Sequence, residues 1–267
     1  MYILTKAKSK FHQLLNSVIH FVPQRILNRL EDVILLGLGK GYDAGLENEI
    51  LGFKKLLVVA PPAGSILLDV GANVGKFTSF WIKNFGDNYI HYCFEPDSSV
   101  FIELSANLAL HKECRLVNSA IGNSETQSAM LYFDGLSKSK SSLSKRNIYE
   151  QDIDFIESEE VEIIRLDDFF ESEILTEIFF LKIDVEGHEV PVIESLGTRI
   201  KDVRWIQFEY GGTYLDSGYA FRDAHNILVR SNFKIFRLTP RGYEPLPDYS
   251  PKDEIPLFTT YLAKNMV

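Results

Sequence analysis

"ILLDVGANVGKFTSFW", residues 66–81, is the stretch from which the fold can be read. The apolar run Ile66–Val70, interrupted by Asp69, meets Gly71, and Gly75 follows four residues later. A buried strand that turns sharply into a helix reads this way, with glycine wherever a side chain would block the turn or a close approach of backbone to ligand. The free N–H groups that open such a helix form a binding site for acceptor-rich ligands. The stretch therefore predicts a nucleotide pocket at a strand's carboxyl end. Asn73 stands where a dinucleotide fingerprint has its middle glycine, which argues against a pyrophosphate-bearing cofactor.

Outward from this turn, short apolar segments alternate with helix-length ones. Strands are expected at Ile66–Val70, Tyr89–Phe94, Arg115–Ile121, Phe179–Asp184, Trp205–Phe208 and Phe233–Leu238. Between them, helices are expected at Lys76–Asn84, Ser98–His111, Val190–Leu196 and Arg222–Ser231. Such alternation predicts a doubly wound, mostly parallel α/β sheet covered on both faces. Leu257–Ala263 follows Phe233–Leu238 without a helix between them, so it is expected to return antiparallel. Met130–Phe133 and Val161–Leu166 read as strands flanking the polar stretch Gly135–Asn147, either a solvated loop or a cover over the site.

Upstream, apolar residues recur at helical steps through Phe11, Leu14, Leu15, Val18 and Ile19, and again through Ile26, Leu30, Val33 and Ile34, with Pro23 between. A third helix is expected over Leu46–Val59. Residues 1–60 thus read as a helical extension and 61–267 as the α/β domain. The extension either caps the core or lays a cationic amphipathic face on a membrane.

The chain's 267 residues carry a formal charge of -9, the wrong sign for a general nucleic-acid binder. No apolar run is long enough to span a membrane. Its two cysteines, Cys93 and Cys114, have no metal or disulfide spacing. A reducing cytoplasm is the expected setting. A homodimer through the N-terminal helices is compatible with the pattern, and no heptad requires one.

Twenty residues beyond Gly75, "CFEPD" places Glu95 at the end of the second strand, where a carboxylate can accept both hydroxyls of a ribose. Further on, "FFLKIDVEGHEV" gathers Lys182, Asp184, Glu186, His188 and Glu189 at a fourth strand's end, and "IQFEYGG" brings Glu209 and Tyr210 beside them.

The succession "DVGANVG", "FEPD", "SAIGN", "LDDF", "LKIDVEGHE" and "IQFEYG" resembles the FkbM family of S-adenosylmethionine-dependent methyltransferases, over about residues 47–238. The resemblance implies a class I methyltransferase fold and methyl transfer to a hydroxyl of a carbohydrate or other small metabolite. On this resemblance, Asp69, Gly71, Asn73 and Gly75 line the methionine and ribose side, and Glu95 holds the ribose. Pro96 and Asp97 shape the adenine side, which Ser119 and Ala120 face, and Asp184 borders both donor and reaction. Asn107 is either a solvated helix residue or a cofactor contact.

Transfer to a hydroxyl needs an aligned oxygen and a base. His188 is the first candidate, because its unperturbed pKa suits neutral pH. Asp184 and Glu186 come next, as its orienters or as bases themselves. Glu209 has three readings: a sugar hydroxyl ligand, a partner of Asp184 around a divalent cation, or an ion-pair partner of Lys182. Tyr214 and Tyr219 either stack on an acceptor or pack on the C-terminal strands. Two other functions fit the same residues, a binding protein that has kept the cofactor fold and a nicotinamide-dependent oxidoreductase.

Overall fold

The computed structural model describes Ile19 and residues 21–123, 127–133, 141–145, 157–246 and 248–267. The helix expected through Phe11 to Val18 lies outside them, as do residues 135–140 and 146–147 of the polar stretch. The described chain runs through α1 (Gln24–Gly37), α2 (Gly45–Leu56), β1 (Ile66–Val70), α3 (Lys76–Phe85), β2 (Ile90–Phe94), α4 (Ser98–Leu108) and β3 (Cys114–Val117). Next come β4 (Ala120–Ile121), β5 (Ser128–Phe133), β6 (Glu157–Ile164), α5 (Leu166–Ser172), β7 (Ile178–Ile183), α6 (Glu189–Glu194) and β8 (Val203–Tyr210). The last elements are α7 (Thr213–Ser217), α8 (Phe221–Arg230), β9 (Phe233–Thr239), β10 (Gly242–Pro245) and β11 (Thr259–Asn265).

Eight strands form the main sheet in the order β10-β9-β11-β8-β7-β1-β2-β3. β3, β2, β1, β7 and β8 are mutually parallel. β11 inserts antiparallel between β8 and β9, and β10 turns back on β9 as an edge hairpin. The expected antiparallel return is therefore present, but inside the sheet rather than at its rim.

The expected strand Arg115–Ile121 is divided. β3 ends at Val117, and Ala120–Ile121 joins a second sheet of order β4-β6-β5. The expected strand Val161–Leu166 begins earlier, at Glu157, and Leu166 already opens α5, a helix the apolar period did not separate from the strand.

Alternating strand residues feed two cores. Leu68, Val70, Leu181, Ile183, Ile206 and Phe208 face α5, α6 and α8. Leu67, Phe180 and Trp205 face α2 and α3, where Ile50 and Phe53 meet Trp81. The Phe53 ring stands edge-on to Phe180 at 4.7 Å and to Trp205 at 5.1 Å. Burying two such side chains on α2 contributes about 1.5–3 kcal/mol each, so this helix is a layer of the core.

β1 is the strand at which connection order reverses: the chain leaves it for β2 and β3 on one side, then returns on the other as β7. Ligand crevices in open α/β sheets lie beyond the carboxyl ends of the strands at such a reversal.

Candidate active site

A cleft of about 700 Å³, counting its open mouth, lies at that reversal. Its wall includes Gly71 and Asn73 after β1, Glu95 and Pro96 after β2, Ser119 to Ile121, Leu131, Ser141 to Leu143, and Asp184 to Glu186. The segment around Ser142, part of the polar stretch, thus reaches the cleft. The Ser142 hydroxyl donates to the Glu186 carbonyl at 3.2 Å, and the Ser144 hydroxyl lies 2.8 Å from His188 Nε2.

The glycine turn owes its residues to the protein's own packing. Gly71 has φ +80°, and a Cβ there would lie 1.9 Å from the Asp184 carbonyl oxygen. Gly75 has φ +83°, and its missing Cβ makes room for Leu104 and Leu108 of α4. It does not border the cleft. Asn73 also takes a positive φ of 50°, a conformation that asparagine tolerates better than most residues. Its side-chain oxygen accepts from Val74 N at 2.7 Å, and Asn107 donates to the Val74 carbonyl, tying α4 to the turn.

Two buried acids support this end. Asp69 lies beneath the cleft wall, accepts from the Thr78 hydroxyl at 2.8 Å, and is pushed up to about 6 by burial. Glu95 accepts from Asn73 N at Oε2 and from Asp97 N at Oε1, both at 2.9 Å. Burial raises it to about 7. A carboxylate oxygen has two lone pairs, so each Glu95 oxygen can still accept one hydroxyl. Asp97 caps α4 by accepting from Ser99 N and Val100 N, and the Ser119 hydroxyl donates to Glu162 at 2.6 Å. Ser119 itself lines the cleft, where Pro96, Ile121 and Leu131 give an apolar wall.

The other end is charged. Lys182, fully buried on β7, lies 3.1 Å from Asp184 and 3.5 Å from Glu209. Of the three readings for Glu209, the geometry matches the ion pair, and among the described residues no three His, Cys, Asp or Glu side chains are grouped to hold a metal. Glu49, on α2, belongs to the same field: burial raises its pKa, while Lys182 opposes the rise. It accepts from Gln207 at 2.6 Å. Sequence reading missed Glu49 because it occupies an apolar helix face more than 130 residues from its partners; a lone acid on a buried stripe was the available signal.

His188 is the N-cap residue of α6, and burial lowers its pKa to about 4, so its ring is neutral at physiological pH. Neither His188 nor Glu209 is among the residues that line the cleft. Glu189, pushed up to about 8 by burial, accepts from Val185 N and Gly187 N and so braces the loop that carries Glu186 at φ +55°. Tyr214 packs edge-on against Tyr210 at 4.8 Å rather than lining the cleft.

Residues 69–235, more than half of the chain, match the methyltransferase FkbM domain. The chain belongs to the FkbM methyltransferase family. Its sheet, parallel except for the C-terminal strands, is that of the class I S-adenosylmethionine-dependent methyltransferases. Comparison with the curated proteins returns no match. Among solved structures, the FkbM methyltransferase of Methylobacillus flagellatus KT aligns at 14% identity and a TM-score of 0.45, over 77% of this chain and 45% of that one. This FkbM chain thus spans less than half of that protein's length. Aeropyrum pernix fibrillarin, solved with natively bound S-adenosyl-L-methionine, aligns at 12% identity and a TM-score of 0.44, over 82% of this chain and 75% of that one.

Proposed function

We propose that this FkbM-family protein transfers methyl from S-adenosylmethionine to a hydroxyl of a carbohydrate or other small metabolite. The observation that carries the donor half is Glu95. Its carboxylate, at the carboxyl end of β2, borders a cleft of suitable size and keeps one acceptor site on each oxygen. Those two sites suit the two hydroxyls of a ribose, Gly71 and Asn73 suit the adjoining chain, and Pro96, Ile121 and Leu131 suit adenine. When bound, S-adenosylmethionine supplies an electrophilic methyl on a sulfonium.

The protein's own residues then have three tasks. Asp184, the acid on the cleft wall nearest Lys182, takes the acceptor's proton as the new bond forms. Lys182 positions that carboxylate with a buried ammonium, and Glu209 holds the ammonium from the other side. Ser142 and Ser144 close one wall over Glu186 and His188, excluding water that would compete for the methyl. His188, neutral across the physiological range, anchors that wall.

Calorimetric titration with S-adenosylmethionine and, separately, NAD tests the donor assignment. The expected result is binding of the first alone, weakened in Glu95→Gln by about 1.5–3 kcal/mol for each charge-assisted bond lost. Burial raises Glu95 to about 7, and hydroxyl donors favour its ionised form. Affinity therefore falls about tenfold per pH unit below that value in the wild type, and is flat in Glu95→Gln. Preference for NAD, or binding of neither, contradicts the proposal. Methyl-labelled donor and a panel of hydroxyl-bearing acceptors then test the reaction: label in an ether supports it, and label in an amine or on carbon excludes the O-methyl assignment.

A further inference from the structure

α1 is the least satisfied element of the described fold. None of its residues is buried, yet Ile26, Leu30, Val33 and Ile34 recur at helical spacing along one face. Leu30 is 52%, Ile34 59% and Val33 67% exposed, and Phe21, just upstream, is 87% exposed. An open apolar groove continues this surface, walled by Leu30, Ile34 and Leu38 on one side and Lys252 and Ile255 on the other. A contiguous patch of this kind marks contact with protein or lipid.

Charge separates the two. Residues 1–30 hold five of the chain's 28 Lys and Arg and none of its 37 Asp and Glu, so the rest of the chain carries 23 against 37. Within α1 itself Arg25 and Arg29 are balanced by Glu31 and Asp32, so the basic excess comes from Lys6, Lys8 and Lys10, upstream of the helix. A symmetric contact with a second copy would set these basic segments against each other. An anionic bilayer complements both the apolar face and the basic charge. Arg25 and Arg29, one turn apart, border the apolar face on one side, where their stems can follow the helix while the guanidinium groups reach phosphates. No helix among the described residues is long and apolar enough to cross a membrane, so a contact made by α1 is interfacial.

We propose that α1 docks this protein on an anionic membrane surface, with Ile26, Leu30, Val33 and Ile34 toward the acyl chains. The attachment to the sheet gives the docking a direction. Gly39 has φ +81° and presses against the Leu238 carbonyl at the end of β9, and Gly41 N donates to the Phe258 carbonyl at 2.7 Å, next to the start of β11. β9 runs with β8, because β11 is antiparallel to both. α1 is therefore rooted at the end of the sheet that carries the cleft, and docking holds that end next to the lipid.

Flotation of the full chain on phosphatidylcholine vesicles, with and without phosphatidylglycerol, tests this independently of the methyl donor. Recovery with the anionic vesicles should exceed recovery with the neutral ones by about tenfold, and high salt should abolish the difference. The double variant Leu30→Glu, Ile34→Glu should lose flotation with an unchanged melting temperature, because neither side chain is buried. The proposal is overturned by absent flotation, by flotation indifferent to phosphatidylglycerol, or by a variant that floats like the wild type. A doubled mass in light scattering that the variant abolishes would assign the face to a second copy instead, and also overturns it.

Discussion

Beyond β1 and β2, buried acids are held by neutral donors: Asp69 by the Thr78 hydroxyl, and Glu95 by the backbone N–H groups of Asn73 and Asp97. Beyond β7 and β8, Asp184 and Glu209 share one buried ammonium, Lys182, with Glu49 in its field. Neutral donors leave an acid titrating near the pH of use, about 6 for Asp69 and about 7 for Glu95. A shared cation instead makes each carboxylate depend on the others. The acids beside β1 and β2 thus take their main support from local donors, with Lys182 and Asp184 as weaker influences on Asp69, whereas those beside β7 and β8 stand or fall as a group.

The halves meet at Gly71, and breaking that contact should have the largest effect. In Gly71→Ala the new methyl would sit 1.9 Å from the Asp184 carbonyl, on a backbone with φ +80°. Left-handed strain costs an alanine about 1–2 kcal/mol, and an overpacked core site typically another 1–3 kcal/mol. Thermal unfolding should report a loss of about 2–5 kcal/mol, together with lost cleft binding. An unchanged melting temperature would mean that the two strand ends are free to move apart.

Lys182→Met comes next and probes chiefly the charged half, with Asp69 across β1 also in the field of Lys182. Removing the cation leaves buried Glu49 and largely buried Glu209 without their compensating charge, whereas Asp184 keeps solvent from the cleft. The change is worth about 3–5 kcal/mol of stability near neutral pH. Its pH dependence carries the sign. Burial already raises Glu49 and Glu209, and loss of the ammonium raises them further. An acid raised in the folded state destabilises when ionised, so the deficit should shrink as pH falls into the ordinary carboxylate range. Denaturant titrations across pH measure it, and a deficit independent of pH would point to lost packing rather than unpaired charge.

What could be read in advance divides along the same line. The neutral half is local: Ile66–Val70, the turn with Gly71 and Asn73, and Glu95 at the next strand's end all lie within thirty residues, where the periods of strand and helix decide position. Gly75, expected on the methionine and ribose side, gives the space of its missing Cβ to Leu104 and Leu108 of α4, a packing partner the local period does not name. The charged half is non-local. Glu49 meets Gln207 because α2 packs across β8, and Thr260 lies opposite Glu209 because β11 inserts between β8 and β9, contacts no periodicity encodes. His188 is a motif residue whose ring meets Ser144 from a polar stretch without apolar period, so that contact was not visible.

The smallest predicted effect concerns that covering contact. Burial holds His188 near 4, below the ordinary histidine value of about 6.5. A histidine lowered in the folded state binds its proton mainly after unfolding. Its contribution to stability is therefore complete above the unfolded value and is lost as pH falls from about 6.5 through 4. Ser144→Ala removes one hydrogen bond, about 0.5–1.5 kcal/mol, and loosens the segment over the ring. Solvent then reaches the imidazole and its pKa should climb back toward 6.5, which NMR titration of the ring protons can follow residue by residue. The melting temperature should shift little, and Glu95 should keep its own titration near 7. A His188 that still titrates near 4 in this variant would show that β7 and α6 alone desolvate the ring. The polar segment would then cover the cleft without shaping its chemistry.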